Sequence, residues 1–88
     1  MRTDYLLIDE ILTESWIVLC NIILSNNIDY NCYTVNGNIY LKLTYKTNKK
    51  LDTLLHEFYY YNNIESISKK SFYENVCDYD NADYLIVN

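Results

Sequence analysis

The dipeptide Asn36-Gly37 constrains the fold of this chain more than any other feature. It lies between two runs rich in Tyr and Val. Both residues tolerate the positive φ angles that a two-residue type I′ turn needs, so the sequence predicts a β-hairpin. A two-residue loop also fixes the register of the two strands and places Tyr33 opposite Tyr40. The other predicted pairs are Val35 with Asn38, Thr34 with Ile39, Cys32 with Leu41, Asn31 with Lys42 and Tyr30 with Leu43.

Because side chains alternate along a strand, this register divides the hairpin into two faces. One face is predicted to be the core, and it carries Tyr30, Cys32, Thr34, Ile39, Leu41, Leu43 and Tyr45. The other face is polar apart from Val35 and the cross-strand pair Tyr33 and Tyr40. We therefore expect these two tyrosines to be exposed and available as aromatic contacts for a partner.

The spacing of apolar residues before the hairpin predicts a helix from Asp4 to Ser25, with Thr3 or Asp4 as its N-cap. Between Trp16 and Leu24 the apolar stripe widens until it nearly encircles the helix. We expect either the sheet or a second subunit to cover this half, which suggests a homodimer through Trp16–Leu24. A strand over residues 16–20 is the alternative.

After the hairpin, Thr47 or Asn48 is positioned to cap a second amphipathic helix that ends at Asn62-Asn63; its apolar positions are Leu51, Leu54, Leu55, Phe58 and Tyr61. A short strand is predicted over Ile64–Ser68, and a buried strand over Tyr84–Val87. Between these two strands, a strand over Phe72–Val76 is preferred to a helical turn, although Ser71 and Glu74 have the spacing of a capping box. The predicted order is α-β-β-α-β-β.

These elements predict a single α+β domain over residues 1–88, with two helices packed on one face of an antiparallel sheet. The chain has one Gly, three Cys and no Pro. One Gly cannot build a phosphate-cradling loop, and the cysteines lack the C-x-x-C spacing of a zinc site. The longest apolar stretch, nine residues, is shorter than the roughly 20 that a membrane-spanning helix needs. We expect reduced thiols, a cytoplasmic location and no membrane contact.

Residues with catalytic chemistry are few. His56 is the one histidine, and it lies off the apolar stripe of the second helix, where a solvated surface residue is expected. Glu74, Asp78, Asp80 and Asp83 form an acidic cluster whose spacing does not fit an EF-hand loop. We therefore predict no catalytic residue, no cofactor and no metal site, and a protein that is not an enzyme.

Charge is segregated along the chain, whose net charge is −5. The first 41 residues and the last 18 are acidic, whereas residues 42–70 are basic. The acidic ends would be repelled by phosphates, so binding to nucleic acid is not favoured. A weak nucleic-acid-binding module that uses Lys42–Lys50 remains an alternative.

In size and acidity the chain is similar to the small acidic inhibitors that phages and plasmids make against nucleic-acid-handling enzymes, including anti-CRISPR proteins and glycosylase inhibitors. The similarity implies a non-enzymatic inhibitor that occupies the basic, nucleic-acid-binding surface of a protein partner in the host cytoplasm. Carboxylates would take the places of phosphates, and tyrosines would supply aromatic contact area. The predicted partner-binding residues are Tyr33, Tyr40, Glu74, Asp78, Tyr79, Asp80 and Asp83. The alternative from another class is a homodimeric structural or accessory subunit.

Overall fold

The structure is a computed structural model that describes residues 1–77. These residues form a small α+β domain with one sheet of four antiparallel strands and three helices. In chain order the elements are β1 (Arg2–Ile8), α1 (Thr13–Ser25), β2 (Asp29–Val35), β3 (Asn38–Tyr45), α2 (Lys49–Tyr61), β4 (Glu65–Ser66) and α3 (Lys69–Cys77). Across the sheet the strands are ordered β2-β3-β1-β4. The predicted order α-β-β-α-β-β was therefore wrong.

The hairpin of β2 and β3 has the predicted turn and register. Asn36 and Gly37 have φ angles of 53° and 83°. Tyr33 pairs with Tyr40, and the register agrees with the prediction from Val35 to Tyr30. A local turn signal was sufficient here because both residues of the loop must adopt positive φ.

The chain begins with a strand, which corrects the helix predicted from Asp4 onward. β1 pairs with β3 on one side and with β4 on the other, so it is a central strand of the described sheet. Asp4, Leu6 and Ile8 are buried on one face of β1, while Tyr5 and Leu7 pack on the opposite face. A strand that is covered on both faces lacks the alternating polar pattern, and its apolar run was read as part of a helix.

The first helix, α1, starts nine residues later than predicted. Leu12 occupies its N-cap position in an extended conformation, and its side chain makes no capping hydrogen bond. Residues 16–20 are helical, so the alternative of a strand there is also wrong. Neither Thr3 nor Asp4 caps a helix, because both lie in β1.

The sheet is covered on both faces, not on one as predicted. On the first face, α1 and α2 bury their apolar side chains against the sheet; this core includes Leu6, Ile8, Leu19, Ile23, Cys32, Leu41, Leu43, Tyr45, Leu51, Leu55 and Tyr59. Asn48, one of the two predicted N-cap residues, caps α2. Its side chain accepts a hydrogen bond of 2.8 Å from the backbone N–H of Leu51.

On the second face, α3 packs against the hairpin where a polar surface was expected. Phe72 and Val76 of α3 form a second core with Val35 and Tyr40. The strand preferred over Phe72–Val76 was therefore wrong, and the helix begins after Ser68, whose hydroxyl accepts a hydrogen bond from the N–H of Ser71. The predicted strand over Ile64–Ser68 is reduced to the two residues of β4. The strand predicted over Tyr84–Val87 lies outside the described residues.

Within residues 1–77, no helix has the length and apolar character that crossing a membrane requires.

Candidate functional site

The outward side of α1 carries large apolar side chains that the described residues leave uncovered. Leu24 is 68% exposed, Ile17 and Val18 are about half exposed, and Leu12, just before the helix, is 71% exposed. We call these four residues the α1 surface. Single apolar residues are normal on a protein surface, whereas apolar residues grouped on one element mark candidate interaction sites, so we take the α1 surface as the candidate here.

The part of the sequence that contains the α1 surface carries charge of one sign. Between Thr3 and Leu41 the sequence contains five acidic residues and neither Lys nor Arg. Asp9, Glu10, Glu14 and Asp29 are exposed, whereas Asp4 is buried. Glu14 is on α1 itself, Asp9 and Glu10 precede Leu12, and Asp29 is on β2, where it lines a cavity together with Lys46. A helix that exposes apolar side chains beside carboxylates complements an apolar patch with basic residues at its edges.

A cavity of about 360 Å³ separates α1 from β2, and most of its wall is apolar. Trp16, Cys20 and Leu24 line it from the helix, and Tyr30 and Cys32 line it from the strand. Burial raises the pKa of the Cys32 thiol to about 11, and the neighbouring Cys20 adds to this rise. Cys32 is therefore a neutral thiol at neutral pH, and its side chain behaves as a small apolar group.

Tyr33 and Tyr40, the two predicted aromatic contacts on the hairpin, are buried to different degrees. Tyr40 is 6% exposed, so its ring presents little surface to a partner. Tyr33 is partly buried, and both rings lie edge-on to Phe72, with centroid distances of 6.0 Å for Tyr33 and 6.1 Å for Tyr40. Phe72 covers these tyrosines because α3 occupies the face that was expected to be polar.

Of the predicted acidic contacts, Glu74 is exposed on α3. Asp78, Tyr79, Asp80 and Asp83 lie outside the described residues. The α1 surface was in part foreseen, because the wide apolar stripe from Trp16 to Leu24 predicted a helix that needs more than one covered side. The sequence did not predict the cavity beside it, since the cavity depends on how α1 packs against β2.

The lysines of the proposed nucleic-acid contact do not share one surface. Lys42 lies on the face covered by α3 and donates a hydrogen bond of 2.9 Å to the hydroxyl of Tyr73, which raises the pKa of Lys42. Lys46, Lys49 and Lys50 lie at the end of β3 and the start of α2, which packs on the opposite face. Lys42 is thus on the opposite side of the sheet from the helix that begins with Lys49 and Lys50.

The described residues also contain a buried carboxylate, Asp4, which joins β1 to β3 and α2. The hydroxyls of Tyr45 and Tyr59 each donate a hydrogen bond of 2.8 Å to its Oδ2, and Nε of Arg2 donates one of 3.0 Å to its Oδ1. Burial first, and then the interaction with Asp4, raise the pKa of both tyrosines. Each carboxylate oxygen has a donor, as a structural polar network requires.

His56 lies beside this network, at its exposed end. Nη2 of Arg2 is 2.9 Å from Nε2 of His56, and because an arginine only donates hydrogen bonds, this histidine nitrogen is the acceptor. Among residues 1–77, no group of three or more His, Cys, Asp or Glu side chains is arranged to hold a metal ion.

Comparison of the chain with protein-family models, with curated proteins and with solved structures finds no match. Its function is therefore argued from its own residues.

Proposed function

We propose that the protein is a small, acidic, non-enzymatic inhibitor that binds another protein and occupies the basic surface with which that protein handles nucleic acid. The inhibitor is of the kind that phages and plasmids make, and it acts in the cytoplasm, where free thiols such as Cys20 and Cys32 stay reduced. It binds through the α1 surface and the carboxylates around it.

One observation carries this proposal: residues 3–41 contain five acidic and no basic side chains, and the fold exposes four of the acids together with the α1 surface. A surface that handles nucleic acid is rich in Lys and Arg because it neutralises phosphates. Exposed carboxylates offer it the same charge, and the apolar side chains add a contact that excludes water and that phosphates do not provide.

Glu74, Asp78, Asp80 and Asp83 extend the acidic character to the C-terminal part of the chain. Asp78, Asp80 and Asp83 are included in the proposal on the basis of the sequence alone. Tyr33 and Tyr79 complete the set of contacts, whereas the burial of Tyr40 gives it a role in packing under Phe72.

The test is capture of a partner from a lysate of the cells in which the gene is found, at 0.1 and 0.5 M salt. We expect a captured protein that binds DNA or RNA on its own, releases it when this protein is added, and is recovered less well at high salt. A captured protein that binds nucleic acid and this protein at the same time would contradict the proposal.

Matched charge reversals locate the surface. The double variant Glu14→Lys with Asp29→Lys is expected to lose the partner, and a triple reversal at Asp78, Asp80 and Asp83 is expected to weaken capture. The double variant Glu57→Lys with Glu65→Lys is the control, because it changes the net charge equally at two exposed positions outside residues 3–41. Equal loss in both double variants would mean that net charge, and not the α1 side of the molecule, decides binding.

The exposure of Ile17, Val18 and Leu24 also favours a second candidate function, a homodimeric structural or accessory subunit that buries the same surface against a second copy. Sedimentation of the isolated protein separates the two candidates. A monomer at all concentrations excludes the dimer, whereas a dimer that Leu24→Lys converts to a monomer supports it.

A further inference from the structure

The outer side of β2 has no neighbouring strand among residues 1–77. The sheet has the order β2-β3-β1-β4, so β2 is an edge strand whose inner side pairs with β3. β2 is seven residues long, and its one charged residue is Asp29, at its start. Proteins protect a sheet edge from further pairing with charged residues, with Pro or with short strands. β2 lacks these features along most of its length, so its edge is suited to bind another strand.

The hairpin turn determines which backbone groups of β2 point to the outer edge. The residues that flank a two-residue loop, here Val35 and Asn38, form a hydrogen-bonded pair, and such pairs alternate along an antiparallel ladder. Tyr33 therefore directs its backbone N–H and C=O toward β3. Cys32 and Thr34 direct theirs to the outer edge, where an added strand would meet them.

The helix α3 begins on the β1 side of the sheet and ends on the β2 side. Just before α3, the backbone N–H of Ile67 donates a hydrogen bond of 2.8 Å to the carbonyl of Tyr5 on β1. The helix then contacts both β1 and β2. Val76, in its last turn, belongs to the same core as Val35, the last residue of β2. The chain therefore leaves α3 close to the edge strand.

The C-terminal segment, residues 78–88, lies outside the described part of the chain, and its sequence and length suit this edge. Its first six residues include three Asp and one Asn, which favour turns. Tyr84–Val87, which we call the pairing run, is uncharged and contains Tyr, Ile and Val, which favour strands. At about 3.3 Å per residue, six residues reach up to ~20 Å, close to the ~23 Å length of a seven-residue strand.

We propose that the outer edge of β2 binds the C-terminal segment of this chain, and that the pairing run forms backbone hydrogen bonds with Cys32 and Thr34. The segment is a better occupant than a strand of a second copy. It is attached to a helix that ends beside β2, and a short flexible linker gives an effective concentration on the order of millimolar. This pairing is independent of the proposed function.

Amide hydrogen exchange, measured by NMR on the full chain, tests the proposal within one strand. We expect the outer amides, those of Cys32 and Thr34, to exchange at least about tenfold more slowly in the wild type than in Ile86→Asp, which places a charge in the pairing run. The amide of Tyr33, which points toward β3, is the internal control and should stay protected in both proteins. Ala82→Asp is the matched control variant, because it adds the same charge outside the pairing run, and it should retain the protection of the outer amides.

A second measurement needs no variant. Nuclear Overhauser effects between the amide proton of Thr34 and backbone protons of the pairing run are expected in the wild type, because paired strands lie about 4.8 Å apart. Their absence would overturn the proposal even if Ile86→Asp also lost the protection of Tyr33 through unfolding.

Three results of the exchange experiment would overturn the proposal. Fast exchange of the outer amides in the wild type would show that the edge is open to solvent. Protection that persists in Ile86→Asp would show that another group covers the edge. Protection that falls on dilution, together with the mass of a dimer at high concentration, would assign the edge to a second copy. None of these results involves a cellular partner, so each would leave the proposed inhibitor to be decided by the capture experiment.

Discussion

The two helices α1 and α2 have the same length, 13 residues, and pack on the same face of the sheet, yet they differ on the side turned away from it. α2 exposes polar and charged side chains, Leu54 and the hydroxyl-bearing rings of Tyr60 and Tyr61, and Asn48 caps its start. α1 exposes Ile17, Val18 and Leu24 and starts at Leu12 without a side-chain cap. Folding requires only the inward side of either helix, so the apolar outer side of α1 is not explained by the stability of the domain.

The largest expected effects lie where the two helices are alike. Leu19 of α1 and Leu55 of α2 are both fully buried in the same core. Substituting either by Ala removes buried methyl groups and leaves a cavity, so each is expected to lower the free energy of unfolding by about 2–5 kcal/mol. Urea titration followed by circular dichroism measures both. If Leu19→Ala costs less than about 1 kcal/mol while Leu55→Ala costs several, α1 is not packed as described.

The next largest effect is expected at Asp4, whose hydrogen bonds connect α2, through Tyr59, to the sheet. Among residues 1–77, α1 has no donor to Asp4. Asp4→Asn removes a charged acceptor from Tyr45, Tyr59 and Arg2, and we expect a loss of about 2–3 kcal/mol in the free energy of unfolding at pH 7. A change below about 0.5 kcal/mol would contradict the buried network.

The same network predicts a dependence on pH. The pKa of Tyr45 and of Tyr59 is raised on folding, so above the unfolded value of about 10 the folded chain holds protons that the unfolded chain releases. Their contribution is fully present below pH 10 and is lost as the pH rises further. Urea midpoints at pH 7, 9 and 10.5 test this. The fall of the urea midpoint with pH should be smaller in Asp4→Asn than in the wild type. An equal fall in the two proteins would contradict the prediction.

How far the sequence predicted the fold depended on whether the signal was local. Asn36-Gly37 determines its turn through its own φ angles, so the hairpin register was right in every pair from Val35–Asn38 to Tyr30–Leu43. β1 gave no such signal. From Tyr5 to Ile8 its side chains are apolar toward both faces because α1 and α2 cover one face of the sheet and α3 covers the other, and this packing is decided by parts of the chain that are distant in sequence. The chance spacing of Ile8, Ile11 and Leu12 then resembled a helix.

α3 shows a different failure, because its sequence has the spacing of a helix although a strand was predicted over Phe72–Val76. Phe72 and Val76 are four residues apart, as the buried side of a helix requires, and Ser68 stands at the cap. For the site, the unusual width of the apolar stripe on α1 was visible in sequence, whereas the burial of Tyr40 and the cavity beside Trp16 depend on which elements pack together.

The ends of the two helices allow a smaller, paired test. Asn48→Ala removes the cap of α2 and is expected to cost about 1 kcal/mol in the free energy of unfolding. Leu12 already has the extended conformation of an N-cap residue, with ψ of 143°, and is mostly exposed. Leu12→Ser should therefore provide the missing acceptor and stabilise the domain by about 0.5–1 kcal/mol. Urea titration of both variants is the measurement, and a destabilised Leu12→Ser would mean that Leu12 has a packing role.

The smallest effect on stability is expected where the difference between the helices is largest. Ile17, Val18 and Leu24 face outward, so replacing each by Ser removes little buried area, and each change should alter the free energy of unfolding by no more than about 0.5 kcal/mol. The same replacements should abolish partner capture, while Leu54→Ser on α2 should leave it unchanged. Because α1 and α2 contribute alike to the core, a loss of binding without a loss of stability separates the two roles of α1. Stability losses of several kcal/mol would instead show that these side chains are needed for folding, and the contrast between the helices would lose its functional meaning.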